Sequence, residues 1–426
     1  MKPYYLCLSL ILLAVSCQEK PAPEPNRVVQ QEARARMDSL LQSLVASGKV
    51  AGVSSLVYEK GQEAYFGAYG YANREDSIPM ARNTLVQIFS MTKPLTGTAL
   101  MSVYETGAFA LDDSLAQYAP EFAGMQVYKG VDEHGQMQTE PARSAITIRD
   151  ITRHTAGFPN RTEIPGLGDA LAEAAPLAKE KTLSEMAATF GKLPLWFHPG
   201  TQWEYGPSVD VQAFLVERLS GMPFDDYLQQ EVLGPLGMTD TRRVVPPADR
   251  ERFSAMYRLE EDGSLTQIPD SLSKIEHFQA WPLQRGGWGM TSSLDDYMRF
   301  ARMLLGRGTL NGVQVLKPET VALMATNHLP DSVTERAWLP SKGQVGFGID
   351  FAVRTAPPAG PQENNGAVGE FFWDGAASTL FWVDPQNELA AVLFVQLFPY
   401  DPIRLHKNFR DAVYGPYVPP ATQNAE

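Results

Sequence analysis

The chain of 426 residues contains only two cysteines, Cys7 and Cys17, both near the amino terminus, so no disulfide framework can hold the body of the fold together. Its six histidines are scattered and no H-E-x-x-H occurs, which leaves no metal-ligand pattern. Neither a G-x-x-x-x-G-K-[ST] loop nor a G-x-G-x-x-G after a strand is present, so no nucleotide is indicated and the expected cofactor and metal content is none. Lysine and arginine form no cluster, and 36 of them against 49 acidic residues give a formal charge of -13. A nucleic-acid partner, which needs grouped cations to neutralise phosphates, is therefore not expected. G-x-S-x-G is missing too, so the nucleophile elbow of the α/β-hydrolases has no candidate. There is no internal repeat.

A hydrophobic content of 44% over this length is enough to bury a large core, which points to one big domain or two intimately joined subdomains. At the start, Lys2 precedes the apolar run "YYLCLSLILLAV", too short to span a bilayer comfortably, and Ser16-Cys17 closes it. This resembles a bacterial lipoprotein signal over residues 1–17, with Cys17 left as a lipidated first residue; an ordinary secretory signal cut near Ser16 is the alternative. Either one exports the protein, and the lipoprotein reading anchors it in the bacterial cell envelope, at a periplasmic or outer-membrane face. The Pro-rich residues 18–30 read as a tether to a body spanning residues 31–418.

Helical periodicity begins near residue 28, with Met37, Leu40, Leu41 and Leu44 on one face. "VAGVSSLVYEKGQEAYFGAYG" reads as a hairpin turning at Lys60-Gly61. Near the other end, "STLFWVDPQNELAAVLFVQLF" reads as a second hairpin, and "DPIRLHKNFRDAVYG" as a closing helix. Between them helices dominate. "SVDVQAFLVERLSG" places Val211, Phe214, Leu215 and Leu219 on one face and stops at Gly221, while "SLDDYMRFARMLLGRG" starts with a Ser293 to Asp296 capping box. The expected fold is an α/β (α+β) single sheet built from both termini, with a mainly helical region inserted between its strands.

In "LVQIFSMTKPLTGTAL", Ser90 and Lys93 are three residues apart and share a face if a helix starts there. An S-x-x-K pattern arises by chance about once in a chain of this size, so its surroundings decide. Pro94 falls in the first turn, where no backbone N–H is lost, and Leu95, Ala99 and Val103 would bury the helix beneath the serine. Burial would lower the pKa of Lys93 and make it a usable base. A second pair, Ser271 and Lys274, follows acidic loop residues and reads as exposed cap chemistry. His154, beside a Thr-Ala-Gly turn, reads as a structural hydrogen-bond partner.

Five segments occur in a telling order: "ANREDSIPMARNTLVQIFSMTKPLTGTAL", "ITIRDITRHTAGFPN", "HPGTQWEYGPSVDVQAFLVERLSG", "LGPLGMTDT" and "GGWGMTSSLDDYMRFARMLL". Over nearly all of residues 30 to 415 the chain resembles the serine β-lactamase-like superfamily, in the branch of class C β-lactamases, DD-peptidases and family VIII carboxylesterases. The resemblance implies that fold, with Ser90 as the acylated serine, Lys93 as the lysine of the first motif and Tyr205 as the tyrosine of the second. Tyr71-Ala72-Asn73 also spells Y-x-N, but it precedes the serine and is set aside. Trp373-Asp374-Gly375 would form the third motif, with Gly375 letting the strand edge approach the substrate and the Ala376 N–H joining that of Ser90 as an oxyanion hole.

Two departures carry information. Pro207 stands where penicillin-recognising members have Asn, and Trp373 where a Lys or His helps hold a substrate carboxylate; family VIII esterases are similar to this chain in having W-x-G there. An aromatic wall suits a neutral, apolar ester. Trp203, Trp288, Phe371 and Phe372 would extend that wall unless they serve core packing. The activity implied is an esterase cleaving small apolar carboxylic esters through an acyl-enzyme, with Lys93 or Tyr205 as base. A β-lactamase or DD-peptidase, an acyltransferase and a non-catalytic binding protein are the alternatives.

Overall fold

Lys60 and Gly61 both take positive φ, 48° and 81°, and turn strand β1 (Gly52–Glu59) back into β2 (Gln62–Asn73). Two left-handed residues in a two-residue loop match the twist of the paired strands, so the hairpin lies where the sequence places it. The computed structural model describes residues 27–419. The expected signal at residues 1–17, Cys17 and most of the tether lie outside the described residues. After β2 comes a short edge strand, β3 (Ile78–Pro79), and the other strands of the sheet are supplied only after the helical region.

These later strands are β4 (Val345–Phe347), β5 (Ala352–Arg354), β6 (Phe371–Asp374), β7 (Leu380–Asp384) and β8 (Leu389–Val395). The sheet order is β4-β5-β6-β7-β8-β1-β2-β3, every neighbouring pair antiparallel. The two ends of the chain meet at its centre, where Val53 pairs with Val395 and Glu59 with Leu389. The expected sheet from both termini is thus observed.

Every residue of β7 and β8 is buried, so helices cover both faces. Alternation along β7 shows how. Phe381 packs on Tyr297 at 5.0 Å between ring centroids, in helix α4 (Leu294–Leu305), whereas its neighbour Trp382 packs on Phe409 at 5.8 Å, in helix α5 (Leu405–Tyr414). Helix α1 (Gln31–Ala46) lies beside α5, its Arg36 Nε donating to the Ala412 carbonyl at 3.0 Å. The helical region holds α2 (Thr92–Glu105) against α3 (Ser208–Ser220).

Two sequence readings change here. No capping box forms at α4: the Ser293 side chain makes no cap hydrogen bond, and the Asp296 carboxylate is turned to accept the N–H groups of Asp240 at 2.6 Å and Thr241 at 2.9 Å. Helix α3 is buried on more than one face: Asp210 and Gln212 are buried along with Val211, Phe214 and Leu215. These two polar residues therefore point into the protein, which a single apolar stripe did not suggest.

Phe381 touches Tyr297, Phe300 and Phe351 at the centre of the α4 face. Phe381→Ala is expected to cost about 3–5 kcal/mol through lost burial and a residual cavity, measured as a lowered urea midpoint.

Candidate active site

The segment entering α2 is strained at one residue. Phe89 has φ 44°, in the left-handed region that a bulky side chain rarely adopts, and it swings the chain from the short strand Val86–Gln87 into the turn Phe89–Met91 and then α2. Its ring is clamped by Trp288, stacked at 6.3 Å, and by Phe398, edge-on at 5.6 Å. Trp288 lies outside the cavity described below. It stacks on the residue before Ser90 and carries the Arg285 guanidinium over its ring at 5.2 Å.

Ser90 follows on this turn, and Lys93 lies one turn on, its Nζ 3.2 Å from Ser90 Oγ. Lys93 is buried, as are Leu95, Ala99 and Val103 below it. Its ammonium donates to the Gly287 carbonyl at 2.6 Å and sits 4.5 Å from the centre of the Tyr205 ring. Desolvation lowers the Lys93 pKa to about 8, while the Asp210 carboxylate pulls the other way. Asp210 also accepts the Gly287 N–H at 3.0 Å and pairs with Arg285 at 3.3 Å. The adjacent Gly286 is required by space, since a Cβ there would lie 2.9 Å from the Ala213 Cβ and 3.0 Å from the Thr96 methyl. The Gly286-Gly287 pair therefore wedges against α2 and α3 and delivers one carbonyl to Lys93.

Tyr205, just before α3, completes the group. Its hydroxyl receives the Trp373 indole N–H at 3.2 Å and shares the cavity with Ser90. Burial pushes the phenol well above its ordinary range, against the opposing effect of Trp373 and the nearby Ser90. The Tyr205 ring rests on His154 at 4.8 Å and Trp338 at 5.2 Å, and its carbonyl accepts from the Asn160 amide. His154 is buried and uncharged, its pKa held well below normal by desolvation, and Nδ1 accepts the Gly206 N–H at 3.4 Å. It is a structural partner to the tyrosine segment, in line with its sequence reading. Trp203, 1% exposed, stacks behind Tyr205 at 6.2 Å and does not reach the cavity; Phe371 and Phe372 are core residues of β6. For these three, core packing is what is observed.

Ser90 and Tyr205 open onto a cavity of about 370 Å³ lined also by Trp338, Lys342, Trp373, Asp374 and Ala376. The Ala376 N–H, in the turn between β6 and β7, has no hydrogen-bond partner among the described residues. Gly375 has another reason than the one expected. A Cβ there would lie 2.6 Å from the Ile88 carbonyl and would collide with the Thr379 hydroxyl. The glycine lets the end of β6 touch the segment carrying Ser90, and it is not itself part of the cavity wall.

Lys342, Trp338 and Tyr400 were missed by sequence reasoning, since they come from stretches without a motif. The second S-x-x-K is only half as expected. Ser271 is exposed, but Lys274 is buried, donating to the Phe253 carbonyl at 3.2 Å and pairing with Asp270 at 3.1 Å. Tyr71-Ala72-Asn73 ends β2 in a turn where the Asn73 amide donates to Asp76 at 2.7 Å.

A sheet closed by both chain ends, with a serine, a buried lysine and a tyrosine meeting where the helical region joins it, is the arrangement of the serine β-lactamase-like fold. The chain belongs to the Beta-lactamase family, whose model matches residues 37–415. Among curated relatives, Protein Rv1367c of Mycobacterium tuberculosis (strain ATCC 25618 / H37Rv) is 34% identical over 83% of this chain and 87% of its own length. Esterase EstB of Burkholderia gladioli is 27% identical over 89% of this chain and 95% of its own. Among solved structures, EstCE1, a hydrolase with promiscuous acyltransferase activity, matches with a TM-score of 0.73 at 25% identity, covering 90% of this chain and 99% of the other.

Gly375→Ala is expected to cost about 1–3 kcal/mol by overpacking against Ile88. Gly360→Ala, with open space around its Cβ, should stay within about 0.5 kcal/mol; both are read from denaturation midpoints.

Proposed function

We propose that this protein hydrolyses small, largely apolar carboxylic esters through a covalent acyl-enzyme on Ser90. The observation that carries the reading is the 3.2 Å contact of Ser90 Oγ with a buried Lys93, at the mouth of a cavity walled by Trp338 and Trp373. Neutral Lys93 takes the serine proton as Oγ attacks the carbonyl carbon. With the Lys93 pKa lowered to about 8 and the phenol pushed up, the lysine is the better base and Tyr205 keeps its proton. Tyr205 passes a proton to the departing alcohol and regains one from Lys93. Water then attacks the acyl group by the reverse route. The N–H groups of Ser90 and Ala376 hold the oxyanion in both steps, the free Ala376 N–H being the structural support for this assignment.

Similarity to EstB and EstCE1 supports the ester reading, and the promiscuous acyltransferase activity of EstCE1 makes transfer of the acyl group to an alcohol the second reading. A β-lactam or acyl-D-Ala-D-Ala substrate is less well served, because Trp373 replaces the cation of the third motif and Pro207 the amide of the second. We also propose the lipid anchor at Cys17 and a cell-envelope location on the sequence pattern alone.

Purified protein lacking residues 1–17 is expected to cleave p-nitrophenyl acetate and butyrate, with negligible turnover of a chromogenic cephalosporin. Ser90→Ala should lower ester turnover by roughly 10³-fold or more while leaving the unfolding midpoint in place; full activity in that variant would sink the assignment. Because the neutral amine accepts the proton, kcat/KM should climb as pH rises through about 8 and level off above it. In cells, Cys17→Ser should move the full-length chain from the membrane fraction to the soluble one.

A further inference from the structure

The end of the cavity formed by β6 is not apolar. Lys342 is only 5% exposed, lines the cavity, and points its Nζ at Asp374 Oδ2 and the Tyr400 hydroxyl, both in close contact. Tyr400 in turn donates to Asp374 Oδ2 at 2.9 Å. An ammonium has three N–H donors, and these contacts use two. The third has no hydrogen-bond acceptor among the described residues and meets only aromatic rings. A buried charged donor left unpaired is costly, so a group entering the cavity with an acceptor oxygen would be rewarded there.

The charge balance specifies the acceptor. Asp374 compensates Lys342, so the pair offers a directed N–H without net positive potential, and a second carboxylate arriving beside Asp374 would be repelled. The rings of Trp338, Trp373 and Tyr400 lie 5.3, 5.6 and 4.5 Å from Nζ and complete an aromatic collar around it. Building on the ester reading, we infer that Lys342 is a specificity-determining residue that donates its third N–H to a neutral oxygen, a ketone or hydroxyl remote from the scissile bond. The preferred substrates are oxygenated esters, ahead of plain alkyl esters and of esters bearing a carboxylate.

The test compares matched esters in competition, with the oxygen on either half of the molecule: p-nitrophenyl 4-oxopentanoate against the pentanoate, and 4-oxocyclohexyl butyrate against cyclohexyl butyrate. Mono-p-nitrophenyl glutarate serves as the charged probe. Competition yields a ratio of kcat/KM values that does not depend on how much of a variant is folded. At least one oxo ester should be preferred by about tenfold or more in the wild type, the effect of one hydrogen bond from a charged donor. The preference should arise mainly in KM and should disappear in Lys342→Met. Since that change strands the Asp374 carboxylate, Lys342→Met/Asp374→Asn keeps the cavity neutral and should lose the preference too. A wild type without preference in either pair, a preference that survives in both variants, or a preferred glutarate ester would each overturn the inference. No turnover of any ester would instead overturn the ester reading, and the inference with it.

Discussion

The antiparallel ladder between Gly52–Glu59 and Leu389–Val395 joins the two ends of the chain, and what lies between them is a long excursion closed by that ladder. Closing so long a loop carries a large entropic cost, met by strands whose every residue in β8 is buried. The ladder also fixes where the β6–β7 turn can be. Gly375 in that turn presses on Ile88, and through it the sheet locates the strained Phe89 and then Ser90. The position of Ser90 and the closure of the sheet are thus one mechanical problem.

Burying Lys93 is the second constraint, and it explains much of the helical region's polar interior. A desolvated ammonium needs directed acceptors, and it has the Gly287 carbonyl, the Ser90 hydroxyl and the face of the Tyr205 ring. Asp210 supplies charge from α3 while also holding the Gly287 N–H and Arg285. The net effect of burial over attraction is a lysine whose pKa falls to about 8 beside a tyrosine whose pKa rises. Burial thus acts in opposite directions on two groups that sit side by side, favouring the neutral form of each.

Trp373 shows how one side chain can change a site twice. Its ring takes up wall space in the cavity, and its indole N–H donates to the Tyr205 hydroxyl, so the aromatic residue also orients the phenol. A cation does line this cavity, Lys342 from a different segment, and it is paired with Asp374. At this end of the cavity the positive charge of Lys342 is therefore paired within the protein.

Local patterns were sufficient for the two hairpins, the helix bounded by Gly221, and the Ser90–Lys93 pair, because each is set by turn chemistry, periodicity or a spacing of one helical turn. Motif order added Tyr205 and Trp373-Asp374-Gly375. Only the tertiary structure decided which aromatics face the cavity: Trp203 packs behind Tyr205, Trp288 clamps Phe89, and Trp338, without any motif, forms the wall. The same holds for Asp296, which leaves its expected cap for the Asp240 and Thr241 amides, and for Gly375, whose need for a missing Cβ comes from Ile88. Composition and spacing determine what a residue can do with its chain neighbours; burial and contacts between distant segments determine which of those options survives, and Lys342 beside Asp374 exists only at that level.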